Sequence, residues 1–292
     1  MPFFHRTYTL LKSISSVWIT GMVIFTGCQN FHNIRTQETD RFPMSYRPLT
    51  VMSYNIRVGY GGKDRGVDPY ILSKRQENLA PIIAAIQSVG PDIIGLQEVR
   101  GSDQARRLAL ALDMNYAFAW HETDNARTRW WGVAVLSKFP IKKTKRMLIR
   151  SGSGNVKSAL VCTADIRGLP ATFISVHTAR DRRDWRSFAE IMKVVDKIPH
   201  PVVLIGDLNM KPHDQRLELL QPRFVDSALA VDTESAQIAR TTGTYTGIGR
   251  IDYVFVDSRY FEVQEAGIIS PKHWDASDHL AYYARMILRS LP

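Results

Sequence analysis

The sequence predicts an α/β domain of two packed sheets flanked by helices. Three observations predict it. Eight short aliphatic or β-branched runs are bounded by Gly, Pro, Asp or Asn, as strands are. Many are apolar at nearly every position, which suits strands covered on both faces. Between them lie segments with helical spacing, so helices are interleaved with strand pairs rather than gathered in a separate bundle.

The strands follow in order as Leu49 to Asn55, Asp92 to Val99, Gly132 to Ser137, Ser158 to Asp165, Ala171 to His177, Pro201 to Asp207, Ile251 to Val256 and Leu280 to Leu288. Leu79, Ile82, Ile83, Ile86 and Val89 recur at helical spacing, with Pro81 kinking that helix or marking its first turn. A shorter helix is expected over Asp103 to Leu112, with Leu108, Leu110 and Leu112 as its apolar residues. Trp185, Phe188, Ile191, Met192 and Val195 outline a third, with Asp184 as its N-cap.

The N-terminus reads differently from the rest of the 292 residues. Residues 1–27 carry Arg6 and Lys12, no acidic residue, and an apolar stretch from Ile14 to Gly27. That stretch is shorter than the roughly 20 residues a membrane span needs, so it reads as a secretory signal. Its end, Phe25-Thr26-Gly27-Cys28, resembles a bacterial lipoprotein cleavage site, apart from Phe25 where Leu is usual. Cys28 is then the lipidated residue; an ordinary signal peptide or an uncleaved anchor is the alternative. Gln29 rather than Asp after the cysteine suggests, by analogy, sorting to the outer membrane, facing the periplasm. Residues 28–48, polar and holding Pro43 and Pro48, are expected to be a linker reaching about 25 Å. Residues 49–292 show no composition break or repeat and form one domain, expected to be a monomer.

Cys162, the other cysteine, lies in an apolar run and is read as a buried, inert thiol, so no disulfide supports the fold. The net charge is +10, and loss of Arg6 and Lys12 with the signal leaves +8. A polyanionic partner, nucleic acid or anionic lipid, fits that excess. The charges are spread along the chain, however, as a merely solvated face would also have them.

Polar residues recur at the strand ends: Asn55, Gln97-Glu98, His177, Asp207 with Asn209, Asp252, and Asp278-His279. A single polar residue there is ordinarily a turn or cap. The set is informative because it mixes carboxylates, carboxamides and two histidines in one recurring context, and one end of a sandwich can collect them all.

The segments Ser53-Tyr54-Asn55-Ile56-Arg57, Leu96-Gln97-Glu98-Val99, Val176-His177, Gly206-Asp207-Leu208-Asn209, Arg250-Ile251-Asp252-Tyr253 and Ser277-Asp278-His279 resemble, in order, those of the endonuclease/exonuclease/phosphatase superfamily. That superfamily includes pancreatic deoxyribonuclease and other metal-dependent phosphoesterases. The resemblance implies a four-layer α/β/β/α sandwich of two mainly antiparallel sheets. It implies that Glu98 is the main ligand of a divalent cation, Mg²⁺ or alternatively Mn²⁺, with Asn55 and Asp278 beside it. His279 would take a proton from the attacking water or orient that water, and Asp252 would fix its tautomer and stabilise its imidazolium. His177 would bind phosphoryl oxygens or assist the leaving group, while Asp207 and Asn209 position water and phosphate. Arg57 is a candidate substrate contact, with a surface salt bridge as the alternative.

Among Arg180, Arg182, Arg183 and Arg186, which follow His177 closely, at least one is expected to meet an anionic substrate; Arg180 is the nearest. Trp130-Trp131 is read as core beside a strand, His200 as a loop residue, and His273-Trp274 as lining the rim of the last motif. The function expected is a metal-dependent phosphodiesterase or nuclease. Hydrolysis of phospholipid or sphingolipid head groups is the alternative, and a non-catalytic binding lipoprotein the rival of another class.

Overall fold

The computed structural model describes residues 31–32, 47–62, 76–122, 131–150, 156–180, 185–245 and 249–289. Cys28, Trp130, Arg182, Arg183 and Asp184 lie outside them. The fold is a four-layer α/β/β/α sandwich. One sheet has seven strands in the order β1-β4-β5-β3-β2-β13-β12: Phe31–His32, Asn115–Trp120, Trp131–Ser137, Ile93–Arg100, Arg47–Asn55, Tyr282–Leu288 and Phe261–Ile268. The other has six in the order β10-β11-β9-β8-β7-β6: Phe224–Asp226, Asp252–Asp257, Val202–Asp207, Leu169–His177, Val156–Ile166 and Ile141–Arg150. Each sheet holds one parallel pair, β2 with β3 and β8 with β9; the other pairings are antiparallel.

The unbroken apolar runs follow from this layering, because successive side chains on a strand face opposite ways. Val51 packs between the sheets, while Met52 and Tyr54 pack outward. Val203 and Ile205 face the other sheet, while Val202 and Leu204 face a helix. Helices α1 (Ala80–Val89) and α2 (Gly101–Leu112) cover the seven-stranded sheet through Ile82, Ile86, Ala105 and Leu108. Helix α3 (Arg186–Val195) covers the six-stranded sheet through Phe188, Ile191 and Val195.

Pro81 sits in the first turn of α1, where its missing N–H has no intrahelical partner to lose. Leu110 is turned to solvent, and Ala105 and Ala109 take its expected place in the core. Phe31–His32 pair with β4 within the expected linker. Strands β4, β6, β10 and β12 and the helices Ser227–Ala230 and Glu234–Thr242 have no counterpart in the sequence reading. Strand β6 was hidden by Lys142, Lys143, Lys145 and Arg146, charges that suit an exposed sheet edge. Cys162 is buried, and burial raises its thiol pKa.

Strand direction gathers the chemistry at one end. Parallel pairing puts Asn55 opposite Gln97 and His177 opposite Asp207, each at a carboxyl end. The antiparallel β11 begins there, with Asp252 opposite Asp207, and β13 begins there after His279. The β2–β3 centre of one sheet packs on the β8–β9 centre of the other, so the two sets of ends share one cleft.

Candidate active site at the strand ends

Two local devices aim the carboxylates. In β3 a bulge falls between Leu96 and Val99, and Glu98 has φ of 53°. The extra residue breaks the alternation and turns Glu98 toward the cleft, while Gln97 stays buried and donates to Gly95 O and Ser175 Oγ. After β9, Asn209 sits at φ 51°, a left-handed conformation that Asn tolerates better than most residues. Its backbone N–H donates to Asp207 Oδ1 at 2.9 Å, its Nδ2 to Thr178 O at 3.0 Å, and its Oδ1 accepts from Arg180 Nε at 2.8 Å.

Asp252 and His279 form the centre. His279 Nδ1 lies 2.8 Å from Asp252 Oδ2, and its Nε2 lies 3.7 Å from Asp207 Oδ2. All three residues are buried. Thr244 clips the two segments together: its Oγ1 accepts from the N–H groups of Ile251 and Asp252, and its carbonyl accepts from Leu280 N. Arg250, fully buried, makes a two-pronged ion pair with Asp226 under the start of β11. Tyr245 packs edge-on against the His279 ring, with centroids 4.7 Å apart. His177 Nε2 reaches within 3.5 Å of Asp207 Oδ2.

Asn55 ties the halves of the site. Its Nδ2 donates to Asp207 Oδ2 at 3.1 Å, its Oδ1 accepts from Arg57 N, and its side chain lies close enough to Glu98 to lower that carboxyl's pKa. Ser277 Oγ donates to Asn55 O, fixing the Asp278 loop beside it. Arg57 is buried rather than on the surface: its Nε lies 3.4 Å from Asp278 Oδ2, and its Nη1 donates to Gly61 O. Its ion pair is therefore an internal one.

The electrostatics show surplus negative charge. Burial raises the Glu98 carboxyl pKa, and the Asp278 charge raises it further. Burial likewise pushes Asp207 up to about 7, with Asp252 adding to the rise against the lowering effect of His279. For His279, burial disfavours the charged ring, yet Asp252, Asp207 and Asp278 together hold its pKa up at about 10. This donor set fits a divalent cation. Glu98 and Asp278 are hard oxygen ligands close enough to repel one another, and a cation relieves that repulsion. Asp207, Asp252 and His279 also offer ligand atoms within 4.8 Å of one another, although a metal there would compete with the Asp252–His279 hydrogen bond.

Arg180 is exposed at the cleft, its guanidinium carbon 5.5 Å from the Tyr245 ring centre. Arg186 points away on α3, paired with Glu190. Trp131 packs on Val58 and Tyr60, and Trp274, partly buried, packs against the core beside α1. His200 lies in a loop, its Nε2 2.7 Å from Thr172 Oγ1. Two groups near the site escaped the sequence reading. Lys157 lies close enough that its charge acts on Glu98, Asp207 and His177, and the His121 ring centre is 5.9 Å from that of His177. His121 follows β4 at the cleft end, the same strand-end context as the others, but β4 is not among the strands the sequence predicts.

A family model described as the endonuclease/exonuclease/phosphatase family matches residues 52–279. No curated protein matches the sequence. Among solved structures, an endonuclease/exonuclease/phosphatase from Beutenbergia cavernae is 23% identical with a TM-score of 0.62, covering 84% of this chain and 73% of its own. The human Nocturnin catalytic domain with bound sulfate is 17% identical with a TM-score of 0.62, covering 82% and 93%. A mannosyl-6-phosphatase from Bacteroides thetaiotaomicron is 19% identical with a TM-score of 0.57, covering 82% and 99%. At these identities the likeness is one of fold.

Proposed function

The chain belongs to the endonuclease/exonuclease/phosphatase family, and from that membership we propose that it is a divalent-metal-dependent phosphodiesterase acting on nucleic acid. The observation that carries this reading is the Asp252–His279 pair, 2.8 Å apart and facing Asp207, at the end of the cleft that also collects Glu98 and Asp278.

Glu98, Asp278 and the Asn55 carboxamide oxygen would hold the cation, Mg²⁺ by preference for hard oxygen donors and Mn²⁺ as a substitute. When bound it would supply Lewis-acid stabilisation of a phosphoryl oxygen and of the departing oxygen. The remaining roles fall to the chain's own residues. Asp252 accepts a hydrogen bond from His279 Nδ1–H, which keeps the ring proton on Nδ1 and leaves Nε2 facing the cleft. His279 serves as base for the attacking water once part of the negative charge around it is neutralised; with that charge uncompensated it is an imidazolium at neutral pH. Asp207 and Asn209 position the water and the phosphate opposite the leaving group. His177 contributes an imidazole edge to a phosphoryl oxygen, and Arg180 stands at the mouth to meet an anionic strand.

The neighbours' names span Nocturnin and a sugar phosphatase, so the fold leaves the ester open. The net charge of +10, or +8 once Arg6 and Lys12 leave with the signal, and the Arg180 position favour nucleic acid. We place the protein in the bacterial cell envelope, anchored through a lipidated Cys28; no helix of the described residues is long and apolar enough to cross a membrane.

Hydrolysis of bis-p-nitrophenyl phosphate with Mg²⁺ or Mn²⁺ tests the chemistry. Turnover that requires the metal, and that vanishes in Glu98→Ala and His279→Ala, is expected. Full activity in either variant, or none in the wild type, refutes it. A parallel panel of DNA, RNA and sphingomyelin decides the substrate, and hydrolysis of sphingomyelin alone would overturn the nucleic-acid reading.

A further inference from the structure

His121 is a buried histidine with a fixed proton. Ser158 N–H donates to its Nδ1 at 3.0 Å, so the neutral ring carries its hydrogen on Nε2. Ser158 is itself held: its Oγ donates to Trp120 O and accepts from Arg146 Nε. Burial, together with the charges of Lys157 and Arg146, keeps the ring neutral. Its Nε2–H is therefore a positioned donor, and it has no hydrogen-bond partner among the described residues. Buried donors are nearly always satisfied, so an orphan held this firmly is a donor that the described residues leave open to a ligand. Next to it, the Lys157 ammonium makes no ion pair or hydrogen bond with another described residue, although Glu98 and Asp207 attract it from a distance. The adjacent His177 also has a buried, unpartnered Nδ1.

We propose that His121 and Lys157 form a second anion site, which takes a phosphate neighbouring the scissile one on the same substrate. The inference rests on the phosphodiesterase reading above. The scissile group of a diester has two non-bridging oxygens, and the cation side and the His177–Asn209 side already provide for both. His121 stands beyond His177, with the ring centres 5.9 Å apart, so its donor serves a group beside the reacting one. A neutral N–H and a cationic ammonium together suit a phosphate oxygen. The second phosphate is either the next along a strand or a terminal one.

The test compares TpT, which has one phosphate, with TpTpT and pTpT, which have two. The wild type is expected to favour the two-phosphate substrates, and whichever of the two is preferred identifies the source of the second phosphate. His121→Asn keeps an acceptor for Ser158 N–H and deletes the distal donor; Lys157→Met deletes the charge. Each is expected to lower kcat/KM on the preferred two-phosphate substrate about tenfold more than on TpT, chiefly through KM. Equal losses on all three substrates, or no wild-type preference, overturn the inference. Calorimetric binding of pTpT in EDTA reads the site without turnover. A wild type that hydrolyses none of the three diesters but binds pTpT more tightly than either variant would sink the diesterase reading and keep the anion site, whereas equal binding by all three proteins removes the site. Unchanged thermal melting verifies that the variants are folded.

Discussion

Replacing Asp252 by Asn tests the acid–base assignment most directly. The carboxylate lies 2.8 Å from His279 Nδ1, and both residues are at most 2% exposed, so water cannot replace the partner. Asn is nearly isosteric, but its amide can donate to Nδ1 and thereby place the ring proton on Nε2. A ring in that tautomer cannot accept a proton from water at the cleft. The expected fall in kcat is about a thousandfold or more, or about 4 kcal/mol of barrier, with KM little changed. Stability gives a second reading. His279 has a folded pKa of about 10 against 6.5 for a free histidine, so its ion pairs stabilise the metal-free fold fully below about pH 6.5 and lose that effect as pH rises through about 10. Urea melts in EDTA should show Asp252→Asn weakened by about 2 kcal/mol at pH 6, with the deficit shrinking toward pH 10. A kcat within tenfold of wild type, or a deficit that grows with pH, would refute the assignment.

Three further outcomes follow from the geometry. Glu98→Gln should abolish the rise in melting temperature that Mg²⁺ gives the wild type, and should raise the melting temperature of the EDTA-treated protein at pH 8, because a partly buried carboxylate repelled by Asp278 is gone; an undiminished Mg²⁺ effect counts against Glu98 as a ligand. Gly206→Ala should cost about 2–3 kcal/mol in urea melts and impair turnover with it, since a Cβ there would collide with the Val176 carbonyl oxygen and push β8 from β9 beside His177 and Asp207; a neutral result would mean the strands separate freely. Mass spectrometry of the protein from bacterial membranes should find a diacylglycerol-modified Cys28 at the N-terminus, and Cys28→Ser should release it to the soluble fraction; an unmodified, longer N-terminus excludes the anchor.

The sequence revealed the centre of each sheet and missed the periphery, for a physical reason. Strands buried on both faces must be apolar at successive positions, as in Val202-Val203-Leu204-Ile205, and such a run is legible without knowing its partners. Strand β6 reads Ile-Lys-Lys-Thr-Lys-Arg because one edge faces water, so its membership of the sheet is decided by pairing with β7 rather than by its own pattern. Helix α2 shows the same limit. Leu110 has the apolarity of a core residue but the wrong angle around the axis, and only the packed sheet says which face turns inward.

The site divides along the same line. Asn55, His177, Asp207 and Asp252 could be read because each sits where an apolar strand starts or stops, and a polar residue at that boundary stands out. Lys157 and His121 could not. Lys157 begins a strand that looks ordinary, and its importance comes from Glu98, Asp207 and His177, which reach it from other strands. The role of His121 depends on Ser158 N–H occupying Nδ1, a contact made across 37 residues between the two sheets. The direction of Glu98 depends on a bulge: Leu96-Gln97-Glu98-Val99 sets two polar residues side by side, and only the register slip against β5 shows that Gln97 stays buried while Glu98 turns into the cleft. Motif residues therefore mark where the chemistry is, whereas the groups that set its charge and its second contacts arise only when the two sheets close on each other. That is why the reaction class is legible in the chain, and why selectivity between esters has to be sought at His121 and Lys157.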